Sequence, residues 1–173
     1  MDSVEWWDLY DEEDRLTGLT MRRGDPVPDG LYHLAVHVWI KNSEGKYLIS
    51  QRAATRMSDP LLFECVGGSV VKGEESLPAA IREAEEEVGA HLNPDLGKVL
   101  CRIKRRRVNG DRYNDILDVW IFPCDHVDFS DATTDEVNEI RWLTREEIIR
   151  LKDEGKTVPG IWYFFDEKYA DLF

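Results

Sequence analysis

Glu83, Glu86 and Glu87 stand at i, i+3 and i+4, the spacing that lines three carboxylates along one flank of a helix. Such a flank is a set of hard oxygen donors. The chemistry open to it is capture of a divalent cation, Mg²⁺ or Mn²⁺, bridged to the phosphate oxygens of a ligand. The helix that must carry these acids is legible around them. Ser76 is placed to cap its start, Pro78 falls in a first turn where a missing N–H costs little, and Gly89 is a natural terminator. Leu77, Ala80, Ile81, Ala84 and Val88 recur at helical spacing as one apolar stripe. The acids work against that helix. Like charges at i,i+4 cost roughly 0.2–0.5 kcal/mol per pair, and Glu85 to Glu87 lie in the last turns, where the macrodipole favours cations. A bound cation offsets both terms. A solvated acidic face is the alternative, and for an isolated acidic run it is the better account.

The run is not isolated. Residues 68–90 read GSVVKGEESLPAAIREAEEEVGA and fill every fixed position of the pattern G-x5-E-x7-R-E-U-x-E-E-x-G-U, where U is aliphatic. The fixed positions are Gly68, Glu74, Arg82, Glu83, Glu86, Glu87 and Gly89, with Ala84 and Ala90 at U. This stretch resembles the signature of the Nudix hydrolases. The resemblance implies a divalent-metal enzyme that cleaves a diphosphate linked to some other group, on an α/β/α sandwich. It implies that Glu83, Glu86 and Glu87, helped by the Gly68 carbonyl, hold the metal. Glu74 and Arg82 are implied to form a charge-assisted pair that fixes the loop ahead of the helix. In related enzymes the base is Glu83, Glu87 or an acid on a later loop, and Glu136 is the local candidate for that acid. An ordinary exposed loop acid is its other reading.

The elements needed to position these groups can be read in order. Glu5 to Tyr10 and Leu16 to Met21, joined by the acidic turn Asp11 to Asp14, predict an N-terminal β-hairpin. Leu31 to Ile40 predicts a long strand with His33, Ala35, His37 and Trp39 alternating, and Lys46 to Gln51 a strand after a turn. The apolar run Leu61 to Val66 ends at Gly67-Gly68, read as a break where the chain turns and brings a carbonyl close to a metal. Val99 to Val108 and Tyr113 to Phe122 predict a hairpin across Asn109-Gly110-Asp111. Val137 to Leu143 predicts a strand, and Thr144 with Glu147 a capping box opening a helix that stops at Gly155. Pro159 is expected to open a last helix with Trp162, Phe165, Tyr169 and Phe173 on one stripe. The sum is an α/β domain with a mixed β-sheet between helices. It spans residues 1–173, with residues 1–30 as a hairpin extension.

Composition bounds the partners. A chain of 173 residues with 42% apolar content is one ordinary domain, able to bury about 70% of its unfolded surface. A net charge of −13 argues against nucleic acid or an anionic membrane as partner. No apolar run nears 18 residues and no signal peptide is evident, so a cytoplasmic location is expected. Cys65, Cys101 and Cys124 have no C-x-x-C spacing and read as free thiols. A homodimer is left open.

The resemblance extends past the box. Trp7-Asp8-Leu9-Tyr10-Asp11, Arg23-Gly24, Tyr32-His33-Leu34 and Asp118-Val119-Trp120 look like the branch that includes the type I isopentenyl-diphosphate isomerases. Those isomerases carry a cysteine just before the box glycine and a histidine just after it, where this chain has Gly67 and Ser69. One of their upstream histidines survives as His33. They also degrade the Arg-Glu and Glu-Glu positions that are intact here, so hydrolysis is expected over isomerisation. A non-catalytic ligand-binding module is the other alternative. Such modules lose acids from the box, and this one has lost none; no DNA-binding helix-turn-helix is expected after Phe173.

The small-molecule diphosphate itself is weakly signalled. Arg102, Lys104, Arg105, Arg106 and Arg107 put five of the chain's 22 basic residues into six positions. Strand alternation sends Arg102, Lys104 and Arg106 to one face as a candidate phosphate strip, and Arg105 and Arg107 to the other. A charged edge strand is the competing reading. Trp6, Trp7, Tyr32 and Trp39 would suit base stacking or, equally, a core. His33 and His37 read as satisfied strand residues.

Overall fold

The computed structural model describes residues 4–106 and 114–173. The expected Asn109-Gly110-Asp111 turn and Arg107 lie outside them. Among the described residues, nine strands form one mixed sheet. They are β1 (Trp6–Tyr10), β2 (Leu16–Arg22), β3 (Tyr32–Lys41), β4 (Tyr47–Arg52), β5 (Phe63–Glu64), β6 (Val66–Ser69), β7 (Lys98–Arg105), β8 (Asp115–Pro123) and β9 (Val137–Leu143). Helix α1 (Ser76–Val88) lies between β6 and β7, and α2 (Arg145–Asp153) follows β9.

β3 organises the sheet. One edge runs parallel to β8 from His33↔Asp115 to Lys41↔Pro123. The other edge takes three strands in turn, all antiparallel: β1 at His33, β6 from Ala35 to Val38, and β4 at Lys41. The N-terminal hairpin is therefore part of the main sheet. β4 pairs in turn with β9 and β5.

The period-two pattern of β3 divides the core. Leu34, Val36, Val38 and Ile40 join Ala79, Ala80, Ala84 and Val88 of α1 in one cluster. Ala35 and Trp39 join Ile148 of α2 and the C-terminal Ile161, Tyr163 and Phe164 in the other. Two layers of helical segments enclose one sheet, which is the expected α/β/α sandwich. Trp39 is fully buried, stacked on Phe164 at 4.3 Å and edge-on to Tyr47. Each such ring pair contributes about 0.5–1.5 kcal/mol beyond area burial. The ring is core and unavailable for stacking on a ligand. Tyr32 is equally committed, buried with its hydroxyl donated to Glu12 at 2.6 Å.

Three local expectations are corrected. Ser76 does not cap α1; it is the first helical residue, and its hydroxyl accepts the Trp120 indole N–H at 2.9 Å. Gly67 and Gly68 are not a break but lie within β6, opposite His37 and Val36. The C-terminal segment is not an α-helix but two 3-10 stretches, Pro159–Phe165 and Glu167–Leu172. Asp166 interrupts them by accepting the Lys168 N–H, and Ile161, Tyr163 and Phe164 are buried while Trp162 faces out. Packing against the sheet has overridden the 3.6-residue stripe. The capping box of α2 and the left-handed Gly89 that ends α1 stand as read. No helix among the described residues is long and apolar enough to cross a membrane.

Candidate active site

A cavity of about 450 Å³ opens where the His33–His37 stretch of β3, strand β6 and the acidic flank of α1 meet. β6 pairs only with β3 among the described strands, so its outer edge is open to α1. The backbone N–H of Gly67 donates to Glu87 Oε2 across that edge, at 3.4 Å. Glycine is required here by close approach. A Cβ on Gly68 would land inside the Glu83 carboxylate, and one on Gly67 would strike Val36 O and the His37 ring, at 2.5 and 2.8 Å. Gly68→Ala should therefore keep the fold, because the flexible end of Glu83 can swing away. It should also cost most of the activity and the Glu83 contribution to metal affinity. Measured Tm alongside Mn²⁺ binding checks this, and unchanged binding would count against it.

The acids come together around this edge. Glu87 is buried, and among the described residues no cationic side chain reaches it. Burial pushes its carboxyl well above the usual range, and Glu64, Glu83 and Glu136 push it further. Glu83 is raised for the same leading reason, opposed by Arg82. Glu136 reaches the cavity from the segment before β9, with its carboxylate held by Arg56 at 2.5 Å. Its backbone carbonyl accepts the Ala53 N–H at 2.8 Å, which fixes the segment.

Arg82 reaches both the Glu74 loop and the acidic flank. Its Nε and Nη2 grip Glu74 bidentately at 2.9 Å each, while Nη1 reaches Glu83 at 2.8 Å and Glu86 at 3.2 Å. Nη2 also donates to the Ser69 carbonyl at 3.2 Å, tying β6 to the helix. With Glu83 and Glu86 turned toward Arg82, the acids are not gathered about one point. The donor set nevertheless fits a hard divalent cation: every group is oxygen, and among the described residues the buried Glu87 carboxylate has no positive partner.

Several wall residues are ones that local patterning did not single out. Glu64 sits in the cavity wall on Arg52 at 2.6 Å, with its carboxyl raised by burial. A lone acid inside Leu61 to Val66 was the available signal, since an apolar run admits a charge only for a reason. Arg105, bidentate to buried Asp115 at 2.6 and 2.7 Å, also faces the cavity. Trp7, by contrast, was already a stacking candidate from its residue type; it stacks on His33 at 4.2 Å and lines the same wall.

The expected phosphate strip lies elsewhere. Arg102 is bidentate to Asp118 at 2.7 and 2.9 Å, Lys104 meets Asp14 at 2.6 Å, and Arg106 pairs with Glu12. These three cations clasp the acidic turn of the N-terminal hairpin and take no part in the cavity wall. Arg102→Ala should then lower stability by about 1–3 kcal/mol, because the buried Asp118 carboxylate loses its cation. Kinetics should be unchanged in that variant. A raised KM with unaltered Tm would return the strip to substrate binding.

The NUDIX domain family matches residues 31–164. An uncharacterized Nudix hydrolase of Listeria innocua is 35% identical over 172 residues, covering 98% of this chain and 95% of that one. The uncharacterized Nudix hydrolase YfcD of Escherichia coli (strain K12) is 33% identical over 156 residues, covering 88% and 81%. The crystal structure of DR0079 from Deinococcus radiodurans superposes with a TM-score of 0.70 over 89% of this chain and 92% of that one. At 23% identity it speaks for the fold alone. An intact box on an open strand edge, together with these relatives, makes the chain a member of the Nudix family of hydrolases, which act on pyrophosphate bonds with divalent metals.

Proposed function

We propose that this chain hydrolyses the diphosphate linkage of a nucleoside diphosphate derivative or similar organic pyrophosphate, as one domain over residues 1–173. The observation that carries the reading is Glu87: a buried carboxylate with no cationic partner among the described residues, beside Glu64, Glu83 and Glu136. A protein keeps such a group only where something compensates it.

Glu83, Glu86 and Glu87, with the Gly68 carbonyl, would hold Mg²⁺ or Mn²⁺. Bound there, the cation supplies charge neutralisation at the diphosphate oxygens and acidifies water. The proton of the attacking water passes to one of the carboxylates facing the cavity, Glu83, Glu87 or Glu136. Arg56 orients Glu136 for that task. Arg52, Arg56 and Arg105 line the same wall, each paired with an acid there (Glu64, Glu136 and Asp115), so they offset the wall's own carboxylates and offer N–H donors to phosphate oxygens. Glu74, Arg82 and Gly89 act as scaffold. The free thiols Cys65, Cys101 and Cys124 fit a reducing compartment, and we place the reaction in the cytoplasm.

Isomerisation is the competing reaction on the likeness to the isomerase branch. Gly67 and Ser69 leave it without its thiol and second histidine. A panel of nucleotide, nucleotide-sugar and isoprenoid diphosphates with Mg²⁺, read by released phosphate or nucleotide, tests the proposal. Deuterium exchange into isopentenyl diphosphate above the enzyme-free control would replace it with isomerisation. Binding without turnover across the panel would leave a ligand-binding module.

A further inference from the structure

His37 faces the cavity from β3, opposite Gly67 in register. Its ring is anchored from behind. Nδ1 lies 2.7 Å from the Tyr163 hydroxyl, and that hydroxyl also receives the Trp39 indole N–H at 3.0 Å. Indole can only donate, so one lone pair of the hydroxyl is occupied and its own proton must point elsewhere. Two acceptors are in reach, His37 Nδ1 at 2.7 Å and Cys65 Sγ at 4.0 Å. The imidazole nitrogen is closer and much the better acceptor, because thiol sulfur accepts weakly. Tyr163 therefore donates to Nδ1. In a neutral imidazole the remaining proton then sits on Nε2. Neutrality is enforced by desolvation first and by the charge of Arg105 second, which hold the ring well below the usual histidine range. Nε2 has no hydrogen-bond partner among the described residues and is not sealed from the cavity.

We infer that His37 is a substrate-contacting residue whose neutral Nε2–H donates to a phosphoryl oxygen of the bound diphosphate compound, with Tyr163 as the positioning residue that fixes its tautomer. The identity of the ligand rests on the hydrolase reading. The location suits the role. Gly67, across from His37, bonds Glu87, so the donor stands on the sheet side of the same cavity that the acids flank from the helix. A neutral donor suits that place better than a cation, because the ring is deeply desolvated and the charge that acts on it is the Arg105 guanidinium, which disfavours an imidazolium. Gly67 also leaves the ring its room, since a Cβ there would meet His37 Cδ2 at 2.8 Å.

The test separates tautomer from turnover. In ring-¹⁵N-labelled wild-type protein, NMR should find His37 with a pyrrole-type Nε2 and a pyridine-type Nδ1. Absence of that signal in His37→Gln assigns it, and Tyr163→Phe should unlock the tautomer. Methylenediphosphonate with Mg²⁺, which cannot be hydrolysed at its P–C–P bridge, serves as the binding probe. His37→Leu should weaken its binding roughly ten- to a hundredfold, the scale of one hydrogen bond to a charged group. His37→Gln, whose amide offers an N–H near the Nε2 position, should regain most of it. A proton found on Nδ1 overturns the proposal even if the Leu variant does not fold. Equal affinities of a folded His37→Leu and the wild type overturn it as well. Failure of every substrate in the hydrolysis panel would sink hydrolysis while leaving both of these readouts standing.

Discussion

Turnover in Glu86→Gln and in Glu87→Gln is expected to fall by about 10²–10³-fold, the scale lost when one electrostatic group is removed from a reacting site. Wild-type activity in excess chelator should vanish with them. Both substitutions keep volume and lose the charge that would hold a cation. Stability should move differently. Glu87 is a buried carboxylate crowded by Glu64, Glu83 and Glu136, so a neutral amide relieves repulsion and desolvation together. Metal-free Glu87→Gln should therefore melt at or above the wild-type temperature. Added Mn²⁺ should raise the Tm of the wild type more than that of the variant, because only binding to the folded state stabilises it. A variant that loses both activity and stability would mark Glu87 as structural. Full wild-type turnover in chelator would remove the metal from the mechanism.

Arg82→Ala should act mainly through the scaffold. Among the described residues Arg82 is the one cation paired with Glu74, and it ties that loop to the helix and to the Ser69 carbonyl. The Glu74 side chain is only 14% exposed, so leaving it unpaired should cost about 1–3 kcal/mol. For a chain of this length that is a fall in Tm of roughly 2–12 °C. Arg82→Lys should rescue little, since a point charge cannot reproduce the bidentate grip. An unchanged Tm with weakened metal binding would make Arg82 part of the metal site instead.

What could be read from sequence, and what could not, divides by the range of the interaction. The apolar stripe of α1, the left-handed Gly89, the Thr144–Glu147 box and the alternation of β3 are local patterns, and they appear in the structure nearly where expected. Ser76 has the right chemistry for a cap, but Trp120, 44 positions away, claims its hydroxyl. Gly67-Gly68 has turn chemistry, yet the glycines serve close approach, a demand set by Glu83 and His37 from other elements. The basic run of β7 was legible as a cluster of charge; its partners in the Asp11–Asp14 turn lie more than eighty residues earlier. For the site, the box acids and Glu136 could be named from the sequence. The parts assembled by strand pairing could not: Glu64 with Arg52, Arg105 with Asp115, and the His37–Tyr163–Trp39 chain.

The clasp between β7 and the hairpin turn also has a consequence for the ionic environment. Arg106 with Glu12, and Arg102 with Asp14, are solvent-exposed pairs, whereas Arg105 with Asp115 is nearly enclosed. At 0.1 M ionic strength the Debye length is about 10 Å, so added salt weakens the exposed pairs far more than the enclosed one. The hairpin carries Trp7 into the cavity wall. Rising salt thus loosens the outer rim of the cavity first and leaves the box helix and its acids in place.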